Sequence, residues 1–388
     1  MDITITPGKL SGTVAAIPSK SMAHRLLICA AFSDRETELV CPETGRDVEA
    51  TVHCLRSLGA GITRTSRGYT VTPAKNIPES AILNCRDSGS TLRFLLPIAG
   101  ALGVDATFLM EGRLPRRPLS PLWEELERMG CRLSRPAENT LRCTGKLRPG
   151  DYSIDGSVSS QFISGLLFAL ALIPGENTLT VTGKTESGPY IDMTRHALAL
   201  FDAPRFRSPG TITVEGDWSN AAFWLAAKAL GSDVNVTGLN PDSAQGDRAI
   251  EYLISILEEN PSIDASHIPD LVPVLSVAGS CFRGATFTGI HRLRLKESDR
   301  VASTVAMLEA LGGKAEAACN TLTVHSTGLT GGTVNAMNDH RIAMAAAIAS
   351  TVCSQTVTIL GAECVEKSYP KFWEEFKRLG GKYEFNLR

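Results

Sequence analysis

The sequence predicts a two-domain α/β protein, because one structural unit of about 70 residues recurs along it. Each copy is a helix that ends in Leu-Gly or Met-Gly and leads into a two-stranded hairpin, with glycine in its usual place after a helix. Copies lie at residues 58–72, 129–142, 311–324 and 379–384, and a weaker one lies at 201–214. A chain of 388 residues has room for five such units and a shortened sixth one, which make two groups of three. Helices that alternate with strands predict layers in which each helix covers a sheet.

Two irregularities refine this prediction. Residues 257–270 leave no room for a hairpin, so we expect the fifth of the six units to be truncated. A strand pattern stops at residues 214–217, and the apolar helix 220–230 follows it, which places a domain boundary there.

The composition disfavours several classes of function. With 39 basic and 41 acidic residues the formal net charge is −2, which argues against non-specific binding to nucleic acid or to an anionic membrane. No apolar run approaches the roughly 20 residues that cross a bilayer, and the first residues lack a signal-peptide pattern. The ten cysteines are scattered without a C-x-x-C pair. We therefore expect reduced core thiols in a cytoplasmic protein that binds no metal.

The densest polar motif covers residues 294–300 and precedes an apolar helical repeat. We expect Ser298 to cap that helix, so that the helix N–H groups join Lys296 and Arg300 in facing an anion. Glu297 would then be placed to deliver a proton. A solvated, salt-bridged start of a surface helix also explains these charges on its own.

Four more helix starts and one loop carry polar groups of the same kind. They comprise Lys20, Ser21 and Arg25; Gly89 with Ser90, which we expect to cap its helix; Ser157, Ser159, Ser160 and Gln161; Asn338 to Arg341; and the loop residues Arg113, Arg116 and Arg117. Each group alone is explained as a helix cap or a surface charge. Together they indicate phosphorylated ligands, because helix N-termini with hydroxyl and cationic donors bind such anions.

Familiar nucleotide and metal motifs fail on spacing. Gly183-Lys184-Thr185 resembles the end of a P-loop, but residue 178 is threonine where glycine is required. The chain has no G-x-G-x-x-G and no H-E-x-x-H, and its seven histidines are dispersed. Neither a nucleotide enzyme nor a metal enzyme is indicated.

The ordered set of motifs resembles the 5-enolpyruvylshikimate-3-phosphate synthases of the enolpyruvyl transferase family. The match rests on residues 18–21 with Arg25, 87–93, 117–118, 156–161, Ser187 with 190–192, 214–217, 245–247, 267–270, 296–300 and 338–341. The resemblance implies a two-domain inside-out α/β barrel of six β-α-β-α-β-β repeats, the fifth one truncated. It also implies a discontinuous domain of residues 1–17 and 216–388, a second domain of residues 18–215, and a hinge near 15–18 and 214–217.

The same resemblance implies the reaction. The 5-hydroxyl of shikimate 3-phosphate would attack C2 of phosphoenolpyruvate while C3 is protonated, and phosphate would leave the tetrahedral intermediate without a cofactor. The residues implied for shikimate 3-phosphate are Lys20, Ser21, Arg25, Ser159, Ser160, Gln161, Ser187, Tyr190, Asp270 and Lys296. Those implied for phosphoenolpyruvate are Lys20, Gly89, Arg117, Gln161, Arg300, Arg341 and Lys367. The implied catalytic residues are Lys20, Asp270, Glu297 and Lys367.

Each implied domain has its own part in this assignment. Residues 18–215 would form the shikimate 3-phosphate cradle, and the discontinuous domain would carry the phosphoenolpyruvate side and the catalytic carboxylates. By the same resemblance, glycine at position 89 implies room beside phosphoenolpyruvate and inhibition by glyphosate. Arg292 and Asp87 depart from the family, which often has Asn at both positions. We expect a monomer that binds two small molecules and neither nucleic acid nor membrane.

Other functions fit parts of the sequence. The sister enzyme that transfers enolpyruvyl to UDP-N-acetylglucosamine shares the fold, but its reactive cysteine is missing from the corresponding loop, residues 111–118. A non-catalytic phosphoester-binding repeat protein would explain the helix starts, but it would not need Glu297 and Asp270 among them. A catalytically inactive homologue is a third alternative, since a truncated unit can remove an interdomain surface.

Overall fold

A computed structural model describes residues 1–386 of the chain. Strands β1 to β20 span Asp2–Thr6, Ser11–Ala15, Thr37–Val40, Gly61–Arg64, Gly68–Thr72, Ser80–Arg86, Asp105–Met110, Cys131–Ala137, Thr140–Gly145, Asp151–Asp155, Thr178–Thr182, Thr211–Thr213, Asp233–Thr237, Ser262–Asp264, Ala285–Thr288, Lys314–Ala317, Thr321–His325, Gly332–Asn335, Val357–Leu360 and Lys382–Asn386. Helices α1 to α12 span Lys20–Ala31, Arg46–Ser57, Gly89–Leu102, Leu122–Arg128, Ser160–Leu172, Gly188–Leu200, Trp218–Ala229, Ile250–Ser255, Val272–Cys281, Arg300–Ala310, His340–Ala349 and Phe372–Arg378. These helices are all too short or too polar to span a bilayer.

The chain divides into two compact units. The discontinuous unit combines Met1–Ile17 with Gly216–Arg388, and the continuous unit is Pro18–Glu215. Backbone hydrogen bonds hold the crossing segments inside each unit, from the Asp217 amide to the Ile17 carbonyl and from the Ser19 amide to the Glu215 carbonyl, both at 2.8 Å.

The continuous unit contains three sheets, of strand order β12-β3-β5-β4, β6-β7-β9-β8 and β10-β11. In the second sheet β6 and β7 are parallel and joined by α3, and the antiparallel hairpin β8–β9 follows α4. β7 alternates buried and half-buried side chains, with Ala106, Phe108 and Met110 facing inward. That period of two is typical of a strand with one face on a core.

The discontinuous unit repeats this arrangement. Its sheets have the order β18-β19-β1-β20, β14-β15-β17-β16 and β13-β2. The N-terminal strand β1 pairs antiparallel with both β19 and β20, so the first residues complete a sheet made by the last part of the chain. Every residue of α11 is buried, and its apolar side chains belong to one core cluster together with those of α7, α9 and α12.

The structure confirms three of the predicted hairpins and corrects two. β4–β5, β8–β9 and β16–β17 each form the antiparallel pair expected after a helix ending in Leu-Gly or Met-Gly. After residue 201, however, only β12 forms, and it joins β3 in another sheet. At the C-terminal copy, β20 pairs with β1 rather than with a following strand.

Residues 257–270 contain no hairpin, as the sequence predicted, but short sheets occur in both units. Each unit has one two-stranded sheet, β10-β11 in the continuous unit and β13-β2 in the discontinuous one. Both are parallel pairs. In the continuous unit β12, the strand after the third copy, pairs with β3 in the sheet of the first copy. Within residues 257–270 the short strand β14 pairs with β15 and thus belongs to the next sheet.

Two predicted helix caps are wrong by one or two residues. Asp299, not Ser298, caps α10 by accepting from the Ala302 amide at 3.1 Å. Ser88, not Ser90, caps α3 by accepting from the Thr91 amide at 3.3 Å. In both cases several capping residue types stand side by side, and tertiary contacts select among them.

Candidate active site

In the continuous unit, Lys20 is the first residue of α1. Ser19 caps this helix by accepting from the Met22 amide, which fixes the turn that carries Lys20. Lys20 Nζ donates to Asp47 Oδ2 at 3.0 Å, and both side chains are largely buried. The ammonium adds its charge to the positive end of α1, so this corner of the unit suits an anion.

Arg25 lies one turn further along α1 and is buried. Its guanidinium donates to Thr194 Oγ1 at 2.8 Å, to the Ser21 carbonyl at 2.6 Å and to the Tyr190 carbonyl at 2.7 Å. It also lies 5.0 Å from the centre of the Phe94 ring. Burial lowers the pKa of Arg25 to about 10, which leaves it charged at neutral pH. Arg25 therefore ties α1 to α6 and uses three of its five N–H groups to do so.

The starts of α5 and α6 lie side by side, since the Glu186 amide donates to the Gly156 carbonyl at 3.3 Å. Ser159 caps α5, and Ser160 is the first residue of that helix. Ser187 precedes α6 in the left-handed conformation, with φ of 54°. All three serines are buried. The hydroxyls that the sequence assigned to a phosphate are thus grouped at two adjacent helix starts.

A close crossing of α3 and α5 orients Gln161. The crossing needs Gly165, because a Cβ there would lie 2.2 Å from the Arg93 carbonyl oxygen. Arg93 Nη1 then donates to Gln161 Oε1 at 2.9 Å, and Gln161 Nε2 donates to Ser90 Oγ at 2.9 Å. The amide is consequently fixed at both ends.

Two arginines converge on Gly89, the first residue of α3. A Cβ on Gly89 would lie 2.6 Å from Arg117 Nη1 and 2.7 Å from Arg93 Nη1. The missing side chain thus provides the space that both guanidinium groups occupy. The sequence assigned a ligand to Arg117 but gave no role to Arg93, which lies within an otherwise apolar helix. The sequence does offer a signal for Arg93. An arginine within an apolar helix is expected to be buried, and a buried arginine is rare unless it is paired.

In the discontinuous unit, Arg300 is buried and binds three carboxylates. Asp339 accepts from its Nε at 2.9 Å and from its Nη2 at 3.2 Å, Asp270 accepts from Nη1 at 2.7 Å, and Glu297 accepts from Nη2 at 2.6 Å. Four of its five N–H groups are used in this way. In this arrangement Arg300 orders the carboxylates, so a bidentate contact with a ligand requires one of them to leave.

Asp270 is shared by several cations. Its Oδ2 accepts from Arg341 Nη2 at 3.1 Å, and Lys296 Nζ lies 3.8 Å from its Oδ1. Burial acts to raise the pKa of Asp270, but the charges of Arg341, Lys296 and Arg300 outweigh burial and hold the pKa well below its usual range. Asp270 is therefore ionised at neutral pH.

For the pKa of Lys296, the effect of burial outweighs that of the neighbouring charges. Burial lowers its pKa to about 8, although the negative charge of Asp270 opposes that change. Near neutral pH the residue is mostly an ammonium, but a modest rise in pH removes the charge. Among the cations of this cluster, Lys296 is the one whose pKa lies closest to the physiological range.

Arg341 follows the first residue of α11 and keeps one donor without an acceptor. Its Nη1 donates to the Ser219 carbonyl at 2.9 Å and to Asn220 Oδ1 at 3.3 Å. Its Nε is buried, and no described residue accepts a hydrogen bond from it. A buried guanidinium N–H is costly when left unpaired, so this edge of Arg341 fits an anionic oxygen of a ligand.

Lys367 ends a short 3-10 helix and lies against the start of α11. Its Nζ donates to the Asn338 carbonyl at 3.0 Å, and only 8% of the residue is exposed. Asn338 adopts the left-handed conformation, with φ of 56°, two residues before α11. Lys367 and Arg341 are thereby attached to the same helix start.

Asp339 received no role from the sequence, yet it joins the parts of this cluster. It caps α11 by accepting from the Arg341 amide at 3.0 Å, and it also accepts from Ser298 Oγ at 3.0 Å and from Arg300. Aspartate before an apolar helix is a recognisable N-cap signature. Its partner Arg300, however, is 39 residues away, and spacing along the chain does not predict that contact.

The described residues include no group of three or more His, Cys, Asp or Glu side chains placed to hold a metal ion. The ten cysteines, all of which fall within residues 1–386, are free thiols, and Cys319 is the exposed one.

The family model for EPSP synthase (3-phosphoshikimate 1-carboxyvinyltransferase) matches residues 5–376. The chain belongs to the EPSP synthase family. It is a transferase of the shikimate pathway, which leads to the aromatic amino acids. Glyphosate is the known inhibitor of this enzyme.

Curated relatives align with this chain over nearly their whole length. The chain is 39% identical to the 3-phosphoshikimate 1-carboxyvinyltransferase of Clostridium kluyveri and 38% identical to that of Clostridium perfringens. Each alignment covers 98% of this chain and 98% of the relative. Identity at this level over full length supports the family assignment independently of the matched motifs.

Solved structures share the fold of this EPSP synthase family member. An EPSP synthase from Acinetobacter baumannii matches with a TM-score of 0.77 at 23% identity, covering 99% of this chain and 100% of that one. The enolpyruvyl transferase NikO from Streptomyces tendae matches with a TM-score of 0.74 at 17% identity, covering 100% of this chain and 99% of that one. At these identities the likeness shows the mixed α/β two-domain fold.

Proposed function

We propose that the chain transfers the enolpyruvyl group of phosphoenolpyruvate to the 5-hydroxyl of shikimate 3-phosphate, with residues of both units taking part. The observation that carries this proposal is the buried contact of Arg300 with both Asp270 and Glu297, at 2.7 and 2.6 Å. A protein that only binds phosphoesters has no need for two carboxylates on one guanidinium. Addition followed by elimination does need them, because protons must move at the attacking hydroxyl and at C3.

Shikimate 3-phosphate is assigned mainly to the continuous unit. Its phosphate would bind Ser159, Ser160 and Ser187, whose hydroxyls lie at two adjacent helix starts. The other residues assigned to this substrate are Lys20, Ser21, Arg25, Gln161, Tyr190, Asp270 and Lys296. Arg25 already binds the carbonyls of Ser21 and Tyr190, so its role is to fix these two residues as well as to add charge.

Phosphoenolpyruvate is assigned to a set of cations from both units. They are Lys20, Arg117, Arg300, Arg341 and Lys367, together with Gln161 and the backbone of Gly89. Arg341 offers a buried Nε without a partner among the described residues, which supports its assignment to an anionic oxygen. Preorganised cations and helix dipoles at the developing charge would supply most of the catalysis.

The two carboxylates have different parts in the reaction. Asp270 remains ionised, so it can accept a hydrogen bond from the attacking 5-hydroxyl and orient it. Glu297 is assigned as the group that delivers a proton to C3 and takes it back as the tetrahedral intermediate collapses. The proton of the 5-hydroxyl would leave with the phosphate, whose negative charge Lys20 and Lys367 would stabilise. No cofactor enters this scheme.

The proposal also covers the repeat architecture, the oligomeric state and the cellular location of the protein. We assign the six sheets to six repeats of an inside-out α/β barrel, with a hinge near residues 15–18 and 214–217. Two observations support the repeats: each unit has three sheets, and β6–β9 with α3 and α4 show the β-α-β-α-β-β order. The protein would act as a monomer in the cytoplasm, where its scattered free thiols would stay reduced.

A phosphate-release assay tests the proposal. Purified protein with both phosphoenolpyruvate and shikimate 3-phosphate should release phosphate continuously, and either substrate alone should give none. UDP-N-acetylglucosamine offered in place of shikimate 3-phosphate should also give none. Release with the UDP sugar, or no release with the two proposed substrates, would contradict the assignment.

A further inference from the structure

The first turn of α7 is attached directly to Arg341, and the proposed mechanism does not yet use it. Arg341 Nη1 donates to the Ser219 carbonyl at 2.9 Å and to Asn220 Oδ1 at 3.3 Å. Ser219 and Asn220 are the second and third residues of α7 and come directly after the segment where the chain enters the discontinuous unit. These two bonds fix the plane of the guanidinium, and so they also fix the direction of its Nε–H.

The segment that contains Gln245 and Asp247 also contacts the first turn of α7. Asp247, in the 3-10 helix Gly246–Ala249, accepts a hydrogen bond from Ser219 Oγ through its Oδ2, and it is almost completely buried. The neighbouring Gln245 accepts from the Trp218 amide at 3.0 Å and donates to the Gly216 carbonyl at 2.8 Å. Residues 216, 218 and 219 are therefore each held by residue 245 or 247.

The residues of this arrangement carry three buried polar atoms that have no hydrogen-bond partner among the described residues. Arg341 Nε, Asn220 Nδ2 and Asp247 Oδ1 are all buried, and no described residue forms a hydrogen bond with any of them. Burial raises the pKa of Asp247 to about 7, and the nearby charge of Asp270 adds to that rise while Arg341 opposes it. Folded proteins rarely leave three buried polar atoms unpaired on linked residues unless a ligand or an ordered water pairs with them.

We propose that Asp247 is a positioning residue for Arg341. Through Ser219 it holds the first turn of α7 where the Ser219 carbonyl and the Asn220 side chain orient the guanidinium toward phosphoenolpyruvate. The inference rests on the assignment of Arg341 to that substrate under the proposed function. A carboxylate or phosphate is held well only when the plane of the guanidinium is aligned with it, so a loosened turn weakens binding without touching the substrate.

Substitutions at both ends of the Asp247–Ser219 bond test the inference. Asp247→Ala and Ser219→Ala should each raise KM for phosphoenolpyruvate by about tenfold, the effect of losing one hydrogen bond of about 1.4 kcal/mol. KM for shikimate 3-phosphate should not change, and kcat should stay within about threefold. Asp247→Asn should stay within about twofold of the parent, because its amide oxygen can still accept from Ser219 Oγ.

Ser276→Ala is the matched control for Ser219→Ala. Ser276 lies in α9 of the same unit and is fully buried, and no described residue forms a hydrogen bond with its Oγ. Removing that hydroxyl should leave all three kinetic parameters unchanged. The control therefore separates the loss of a buried hydroxyl from the loss of its bond to Asp247.

Three outcomes would overturn the inference. One is an unchanged KM for phosphoenolpyruvate in a folded Asp247→Ala or Ser219→Ala protein, with the Ser219 variant giving the answer if the Asp247 variant fails to fold. The second is an equal loss on both substrates, which indicates general structural damage. The third is an effect of Asp247→Asn as large as that of Asp247→Ala, which would place the effect in the charge of Asp247.

An Arg341→Lys variant keeps the two proposals distinguishable. Lysine retains the charge but loses the planar fork, so KM for phosphoenolpyruvate should rise strongly if Arg341 binds that substrate. An unchanged KM would refute the assignment of Arg341 itself. A raised KM in Arg341→Lys together with an unchanged KM in Ser219→Ala would refute only the positioning role.

Discussion

Arg300 Nε donates to Asp339 Oδ2 at 2.9 Å, and the two side chains are 1% and 0% exposed. This buried ion pair joins α10 to α11, whose first turns carry the arginines assigned to phosphoenolpyruvate. Burial acts to lower the pKa of Arg300, but the negative charges of Asp339, Glu297 and Asp270 outweigh burial and raise the pKa well above its usual value. The unit therefore holds its cations in place before any substrate arrives, with carboxylates as the partners.

Removing Asp339 should destabilise the protein strongly. Asp339→Ala leaves Arg300 buried with one partner fewer and removes the cap of α11, and breaking a buried pair in this way costs about 3–5 kcal/mol. The midpoint of urea denaturation should fall accordingly. Glu138→Ala is the control, because its pair with Arg116 at 3.1 Å is exposed and should contribute less than about 1 kcal/mol. Equal midpoints for the two variants would contradict the prediction.

Glu297→Gln should separate binding from chemistry. The amide oxygen can still accept from Arg300 Nη2, so the cluster should keep its shape, but the side chain can no longer transfer a proton. We expect kcat to fall by about two to four orders of magnitude while both substrates still bind. Steady-state kinetics and calorimetric titration with shikimate 3-phosphate measure the two effects. A near-normal kcat would remove Glu297 from the mechanism.

The sequence predicted the local elements of the fold better than the pairing of strands that are distant along the chain. Hairpins at residues 61–72 and 131–145 depend on local turn signals, and they form as predicted. The partner of β12 could not be predicted, because its pairing with β3 spans more than 170 residues and leaves no local trace. The same limit explains why the sequence did not predict that the sheet β10-β11 has only two strands.

A similar division holds for the candidate site. Ser159 was placed correctly at a helix start, because a run of hydroxyl residues before an apolar segment is a local signal. The contacts of Arg300 with Asp270 and Asp339 join segments 30 and 39 residues apart, so sequence spacing did not suggest that Arg300 would be so fully occupied. Only the folded arrangement shows that Arg300, Arg341 and Lys296 are matched by carboxylates.

The pKa of Lys296 predicts how substrate affinity depends on pH. Because burial lowers that pKa to about 8, the side chain is charged below pH 8 and neutral above it. Attraction for shikimate 3-phosphate should therefore be lost as the pH rises through 8. The ratio kcat/KM for that substrate reports ionisations of the free enzyme, and it should fall by up to about tenfold between pH 7 and 9.

Lys296→Arg provides the control for this pH effect. Arginine stays charged over the whole range, so the fall in kcat/KM near pH 8 should disappear even if the variant is less active overall. A variant that keeps the same fall would assign the ionisation to another group, such as the phosphate of the substrate.

Gly89→Ala should reduce the sensitivity to glyphosate. The new methyl group would lie 2.6 Å from Arg117 Nη1 and 2.7 Å from Arg93 Nη1, both at the ends of flexible side chains, so the fold should persist while the guanidinium groups shift. Glyphosate is longer than phosphoenolpyruvate and should suffer more from the lost space. We expect the parent protein to be inhibited by submillimolar glyphosate and the inhibition constant of the variant to rise by more than its KM for phosphoenolpyruvate. Equal rises in the two constants would mean that Gly89 affects only the shared anion contacts, and unchanged turnover of the parent in millimolar glyphosate would contradict the role of this space altogether.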